Sequence, residues 1–99
     1  VPAGCSYVIR MSIGYEDDAT GEAQARAEQG IISLPTTMNG APLAPISGNV
    51  VEYNRRAGFW EVNAYYTTGV LEPGTYTIVG ESYRSGGHVD TATCVLRVR

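Results

Sequence analysis

The sequence predicts an all-β protein, two antiparallel sheets packed as a sandwich of six or seven strands. Two observations carry this. Apolar and polar residues alternate with period two over several stretches, the mark of strands with one buried face. Glycine- and proline-rich turns separate those stretches at short intervals. Twelve glycines and seven tyrosines in ninety-nine residues fit short strands joined by tight turns, in a chain the length of one domain.

The first strand, residues 5–13, points Cys5, Tyr7, Ile9, Met11 and Ile13 inward and Ser6, Val8, Arg10 and Ser12 outward. A loop with an acidic tip, Glu16-Asp17-Asp18, follows. Residues 22–34 are ambiguous. Ala23, Ala25 and Ala27 suit a strand with small inward residues, whereas Ala19, Ala23 and Ala27 suit one face of a helix rich in good helix formers. The sandwich needs a second strand here, so a strand over 23–33 is the expectation, with a short connecting helix as the alternative. Residues 35–45 contain Pro35, Pro42 and Pro45 with Gly40 and read as a loop in which Pro42 or Pro45 starts an edge strand. Residues 46–54 and 58–67 form a hairpin around Arg55-Arg56-Ala57-Gly58. In its second strand Trp60, Val62, Ala64 and Tyr66 are the inward set, and Trp60 is expected in the core. Leu71-Glu72-Pro73-Gly74 is a turn, with Pro73 fixing φ and Gly74 free to take a positive one. Strands 75–84 and 88–98 close the chain across Ser85-Gly86-Gly87, and Ala92, Cys94, Leu96 and Val98 share the inward face of the last.

Trp60-x-Val62, then Leu71-x-Pro73-Gly74-Thr75-Tyr76-Thr77-Ile78, then Gly86-Gly87-His88-x-Asp90-Thr91-Ala92-Thr93 with Leu96-x-Val98 resembles the C-terminal half of bacterial immunoglobulin-like modules. It is also similar to fibronectin type III domains. The resemblance spans residues 58–99 and implies an immunoglobulin-like sandwich in an extracellular protein; residues 1–57 match only as plausible strands. Tyr76 follows Pro73-Gly74 one residue sooner than in the fibronectin pattern, so it is read either as a tyrosine that bonds back to the turn or as a large core residue. Cys5 and Cys94 occupy inward positions of the first and last strands, which in immunoglobulin-like sandwiches can lie close together. A disulfide between them is expected, and with it an oxidising compartment.

The net charge of −3 and the absence of a basic run argue against nucleic acid as a partner. No stretch reaches the roughly 18 apolar residues of a membrane span, so no membrane insertion is expected. The chain opens abruptly at a strand, as a domain cut from a longer protein would, so flanking domains are expected. Ser85, His88 and Asp90 name the members of a hydrolase triad, but they crowd into one turn and strand start, and a working triad converges from separate segments. A non-enzymatic protein is expected. Glu16-Asp17-Asp18 would need Asp90 or Glu72 to complete a calcium site, and His88, the single histidine, makes zinc implausible; no cofactor or metal is assigned. Tyr65 and Tyr83 on outward faces, with Phe59 and Tyr15 near turns, are the candidate ligand-contact residues, because aromatics there stack on sugars or anchor protein partners. The functional expectation is a non-catalytic spacer or adhesion module of a secreted or cell-surface bacterial protein. The alternative is a carbohydrate- or protein-recognition domain using those aromatics.

Overall fold

The computed structural model describes residues 1–99. Seven strands and one helix follow in the order β1 (Ser6–Gly14), α1 (Ala19–Glu28), β2 (Thr36–Met38), β3 (Ala41–Pro42), β4 (Ala44–Asn54), β5 (Phe59–Val70), β6 (Gly74–Arg84) and β7 (Gly87–Val98). The strands form two antiparallel sheets, a three-stranded one ordered β1-β5-β4 and a four-stranded one ordered β3-β2-β6-β7. The protein is therefore an all-β, immunoglobulin-like sandwich with one helix let into it.

The helix replaces the strand expected over 23–33. Asp18 starts it, its side chain accepting from Gly21 N–H at 3.0 Å as an N-cap. Glu22 and Arg26 pair at 2.7 Å one turn apart, and Gln24 donates to Glu28 at 3.0 Å. Only Gly21 and Ala25 are buried, so the helix is docked along a narrow line rather than a broad apolar face. It packs against β5 and β4, with the Arg26 guanidinium 5.9 Å from the centre of the Trp60 ring. The chain then crosses between the sheets. Asn49 donates to Gln29 O at 2.9 Å and Ile32 O at 2.6 Å, while Gln29 donates to Asn49 O at 2.7 Å. These bonds fix the crossing segment to the irregular middle of β4, where the register shifts between Ser47 and Val50. Residues 35–45, expected as a loop, instead contain β2 and β3, joined by Asn39-Gly40 with φ of 51° and 83°. Two positive φ values in a two-residue connection make the turn that matches strand twist, and Asn-Gly favours it. Pro42 does sit in an edge strand.

The core comprises Met11, Tyr15, Ala25, Ile32, Leu34, Val62 and Ala64, with Ile13, Val51, Trp60 and Tyr66 half-buried against it. Trp60 thus belongs to the margin of the core, edge-on to Tyr53 at 5.4 Å. Tyr76 donates its hydroxyl to Glu72 O at 2.8 Å, so it bonds back to the preceding turn.

Cys5 and Cys94 are both free and exposed; the expected disulfide is absent. Hydrogen bonds show why. Val1 N donates to Arg97 O at 2.8 Å, Arg99 N to Val1 O at 3.0 Å, and Ala3 N to Arg99 O at 3.0 Å. Residues 1–3 therefore run parallel to the end of β7, the chain turns at Gly4 with φ of 80°, and Cys5 leads into β1 at that same end, its carbonyl accepting from Leu71 N–H at 3.1 Å. Cys94 is five residues back along β7, about 16 Å at ~3.3 Å per residue, far outside the ~4.4–6.8 Å that a disulfide spans between Cα atoms. The inward face of β7 is also largely uncovered. Val98 is buried and Leu96 half-buried, but Ala92 and Cys94 are exposed, because β1 packs over β6 and the narrower sheet ends there.

Candidate functional site

An open cleft of about 590 Å³ lies at one end of the sandwich. Four segments build it: Gly14 to Asp17 after β1, Gln24 on α1, Gly58-Phe59 at the β4–β5 turn, and Arg84 at the end of β6. The main chain ties two of them together, since Tyr15 N–H donates to Trp60 O at 2.8 Å and Trp60 N–H to Glu16 O at 3.4 Å. Gly58 completes the turn beneath Phe59 with φ of 80° and an N–H bond to Asn54 O at 2.7 Å. The Phe59 ring lies against Gly14, where a Cβ would stand 3.1 Å from the ring edge.

Tyr15 forms the floor and is 8% exposed. Its hydroxyl donates to Glu28 Oε1 at 3.1 Å, the same oxygen that Arg84 Nε approaches at 3.1 Å. The Arg84 guanidinium also stands 5.1 Å from the centre of the Tyr15 ring, within range of a cation–π attraction. Burial, reinforced by the neighbouring Glu28 carboxylate, raises the Tyr15 pKa above its usual value. The phenol therefore stays protonated and works as a donor. Tyr15 raises the Arg84 pKa further above an already high value, so that side chain is a permanent cation. Glu16 and Asp17 stand exposed at the mouth. The cleft thus offers an aromatic wall, an amide, a guanidinium and two free carboxylates, a set that hydrogen-bonds hydroxyl groups while a ring packs on their carbon skeleton.

Of the four aromatics singled out in the sequence, Tyr15 and Phe59 meet in this cleft. Tyr65 and Tyr83 lie elsewhere and apart. Tyr83, on the outer face of the four-stranded sheet, donates to Glu81 and stands edge-on to His88 at 5.2 Å. Tyr65, on the outer face of the three-stranded sheet, donates to Glu52 in a network with Asn63, Glu61, Asn54 and Arg10. Glu61 and Asn63 are 4% and 1% exposed, although they sit on the outer side of β5, where Arg10, Glu52 and Asn54 reach across to them. The bonds from Tyr65 and Asn63 hold the Glu52 carboxyl below its usual pKa. Within this network the buried Asn63 Oδ1 has no hydrogen-bond partner, and of its members only Arg10 lines a cleft, a small one between β1 and β7.

Ser85, His88 and Asp90 do not converge. His88 Nε2 faces Thr91 Oγ1 at 2.8 Å, and the Asp90 carboxylate accepts from Thr91 N–H at 2.8 Å. Of the acidic tip, Asp18 is committed to the helix N-cap, and no three His, Cys, Asp or Glu side chains gather where they could hold a metal. No helix is long and apolar enough to cross a membrane. Gln24, Glu28 and Arg84 were not among the residues the sequence singled out. Gln24 and Glu28 fell in the segment read as a strand, and Arg84 reaches the cleft only through the pairing of the four-stranded sheet. No known protein family, curated protein or solved structure matches the chain.

Proposed function

We propose that the protein is a non-catalytic adhesion module of a secreted or cell-surface protein, and that it recognises a glycan in the cleft between Phe59 and Arg84. The cleft carries this reading: an aromatic wall beside the exposed Gln24 amide and the Glu16 and Asp17 carboxylates suits the alternating carbon and hydroxyl faces of a sugar. The engagement of His88 with the Thr91 hydroxyl and of the Asp90 carboxylate with the Thr91 N–H supports a non-catalytic role. The free cysteines supply no argument for an oxidising compartment, so the extracellular setting rests on the resemblance of residues 58–99 alone.

Glycan-array screening of the isolated domain tests it. Binding is expected to fall at least about tenfold in Phe59→Ala, and in a Glu16→Gln, Asp17→Asn double variant whose exposed side chains do not touch the core. Binding that survives both changes refutes the site. A second reading, a structural spacer, is favoured by one observation, the parallel pairing of residues 1–3 with 97–99, which ties the two ends of the chain to each other.

A further inference from the structure

The strongest unexplained feature is the polar cluster on the outer face of the three-stranded sheet. Glu52 and Glu61 stand directly opposite each other on β4 and β5. Like charges so placed repel, and a buried carboxylate is costly unless a cation or enough donors answer it. Glu61 is 4% exposed. The one cation paired with it is Arg10, whose Nη1 stands 3.8 Å from Oε1 without a hydrogen bond and whose side chain is 48% exposed. Two ionised carboxylates and one guanidinium leave one negative charge over.

Asn63 lies in the middle of this cluster. Its Nδ2 donates to Glu52 Oε1 at 3.0 Å and to Glu61 Oε1 at 3.3 Å, so the amide is wedged between the two carboxylates. The residue is 1% exposed, and its Oδ1 has no hydrogen-bond partner. A buried acceptor left without a donor calls for a water or an ion. A water would satisfy Oδ1 and leave the surplus charge unanswered; a cation answers both.

The spacing suits such an ion. Half a turn about the Cβ–Cγ bond of Asn63 exchanges Oδ1 with Nδ2. Oδ1 then stands about 3.0 Å and 3.3 Å from the two carboxylate oxygens. Oxygens held about 2.3–2.6 Å from one calcium ion, at right angles, are about 3.3–3.7 Å apart. Magnesium, at about 2.0–2.1 Å, would need about 2.8–3.0 Å throughout and sheds its waters reluctantly. Glu52 is only half-buried, which leaves an entry and room for waters to complete the six to eight oxygens that calcium takes.

We propose that Glu52, Glu61 and Asn63 bind a calcium ion on the outer face of the three-stranded sheet. Asn63 turns its oxygen in place of its NH₂ as the ion enters, and Arg10 swings out toward water. The site adjoins the end cleft, since Glu61 pairs with Gly14 and follows Phe59 by two residues. It needs no glycan, so the test uses calcium alone.

Calcium chloride is titrated into the chelator-treated, ¹⁵N-labelled domain. The Asn63 side-chain NH₂ signals should shift saturably, with a Kd of about 0.1–1 mM, the weak end of protein calcium sites. Glu52→Gln and Glu61→Gln keep the side-chain shape and should each weaken binding at least about tenfold through the lost ligand charge. Should Glu61→Gln fail to fold, the half-buried Glu52→Gln carries the comparison. Asn63→Asp gathers three carboxylates. It should melt below the parent in chelator, and calcium should raise its melting temperature more than it raises the parent's, a rescue that a purely hydrogen-bonding Asn63 does not predict. The proposal is overturned if the Asn63 signals do not move up to about 10 mM calcium, ten times the weakest expected Kd. Shifts confined to Glu16–Asp18, an equal response to magnesium, unchanged affinity in Glu52→Gln, or an Asn63→Asp variant that calcium does not rescue would overturn it too.

Discussion

Gly21 sits in the first turn of α1, and propensity alone says that alanine there would stabilise the helix by about 1 kcal/mol. The packing says the opposite. A Cβ on Gly21 would stand 2.6 Å from Glu16 C and 2.8 Å from Glu16 N, and closer still to Glu16 O. Ordinary contact is about 3.4–4 Å, so the backbone of Glu16 would have to retreat by roughly 1 Å. It is not free to do so, because Trp60 N–H holds Glu16 O from the other side and Asp18, two residues on, caps the helix. Overpacking of this kind costs about 1–3 kcal/mol, and losing the cap adds about 1 kcal/mol. After the propensity gain, Gly21→Ala should be destabilised by about 1–3 kcal/mol, and a loss of 2 kcal/mol is about 8–16 °C in melting temperature for a domain of this size. Thermal and urea unfolding followed by circular dichroism read this directly. Gly30→Ala is the control, since a Cβ there meets nothing within 4 Å, and it should be neutral or gain up to about 1 kcal/mol. A Gly21→Ala variant that melts at or above the parent would refute the argument that packing against the Glu16 turn overrides helix propensity.

Further outcomes follow from the same contacts. Because Glu52 has its carboxyl pKa lowered in the folded state, its contribution is complete above the unfolded value of about 4.3 and is lost as pH falls through the folded value. The urea midpoint should therefore drop more between about pH 5 and pH 3 in the parent than in Tyr65→Phe, and parallel drops would show that the Tyr65 bond does not hold Glu52. Gly80 faces Met11, whose Sδ would lie 2.5 Å from an added Cβ; Gly80→Ala should cost about 1–3 kcal/mol and much less in a Met11→Ala background, a coupling that a double-mutant cycle measures. Pulled from its two ends, the domain loads the bonds between residues 1–3 and 97–99 in shear, because those segments are parallel. Single-molecule force spectroscopy should show one step releasing roughly 330 Å of chain at ~3.3–3.6 Å per residue, and Ala3→Pro should lower its force; a force unchanged by that substitution would place the mechanical barrier elsewhere.

Strand identity was legible wherever one face met the core and the other carried polar side chains. Ile9, Met11 and Ile13 against Arg10 and Ser12, or Val62 and Ala64 against Glu61 and Asn63, follow period two because β1 and β5 each have a core side. The helix was obscured because it buries so little: with Gly21 and Ala25 its only buried residues, no apolar stripe exists to read. Its legible signals were local, Asp18 ahead of the first turn and Glu22 four residues before Arg26. The β2–β3 hairpin was announced by Asn39-Gly40 but masked by three prolines. Tyr15 and Phe59 were visible as aromatics beside turns, and neither their meeting nor the arrival of Arg84 could be seen before the sheet pairing was known.

Period two reports which way a side chain points, not how far along the strand it lies or whether anything covers it. Both errors fell on Cys94. Its inward direction was read correctly, since it lies on the same face as buried Ile78. Its height was not, and residues 1–3 lie along the end of β7 rather than bringing Cys5 beside Cys94. Nor was its cover, because a four-stranded sheet facing a three-stranded one must leave a strand's width of inner surface bare. The same mismatch leaves Ala92 and Cys94 open to solvent and hollows the cleft beside Ile9 and Met11. The exposed thiol where a disulfide was expected and the apolar cleft beside it thus have one cause, the missing width of the smaller sheet.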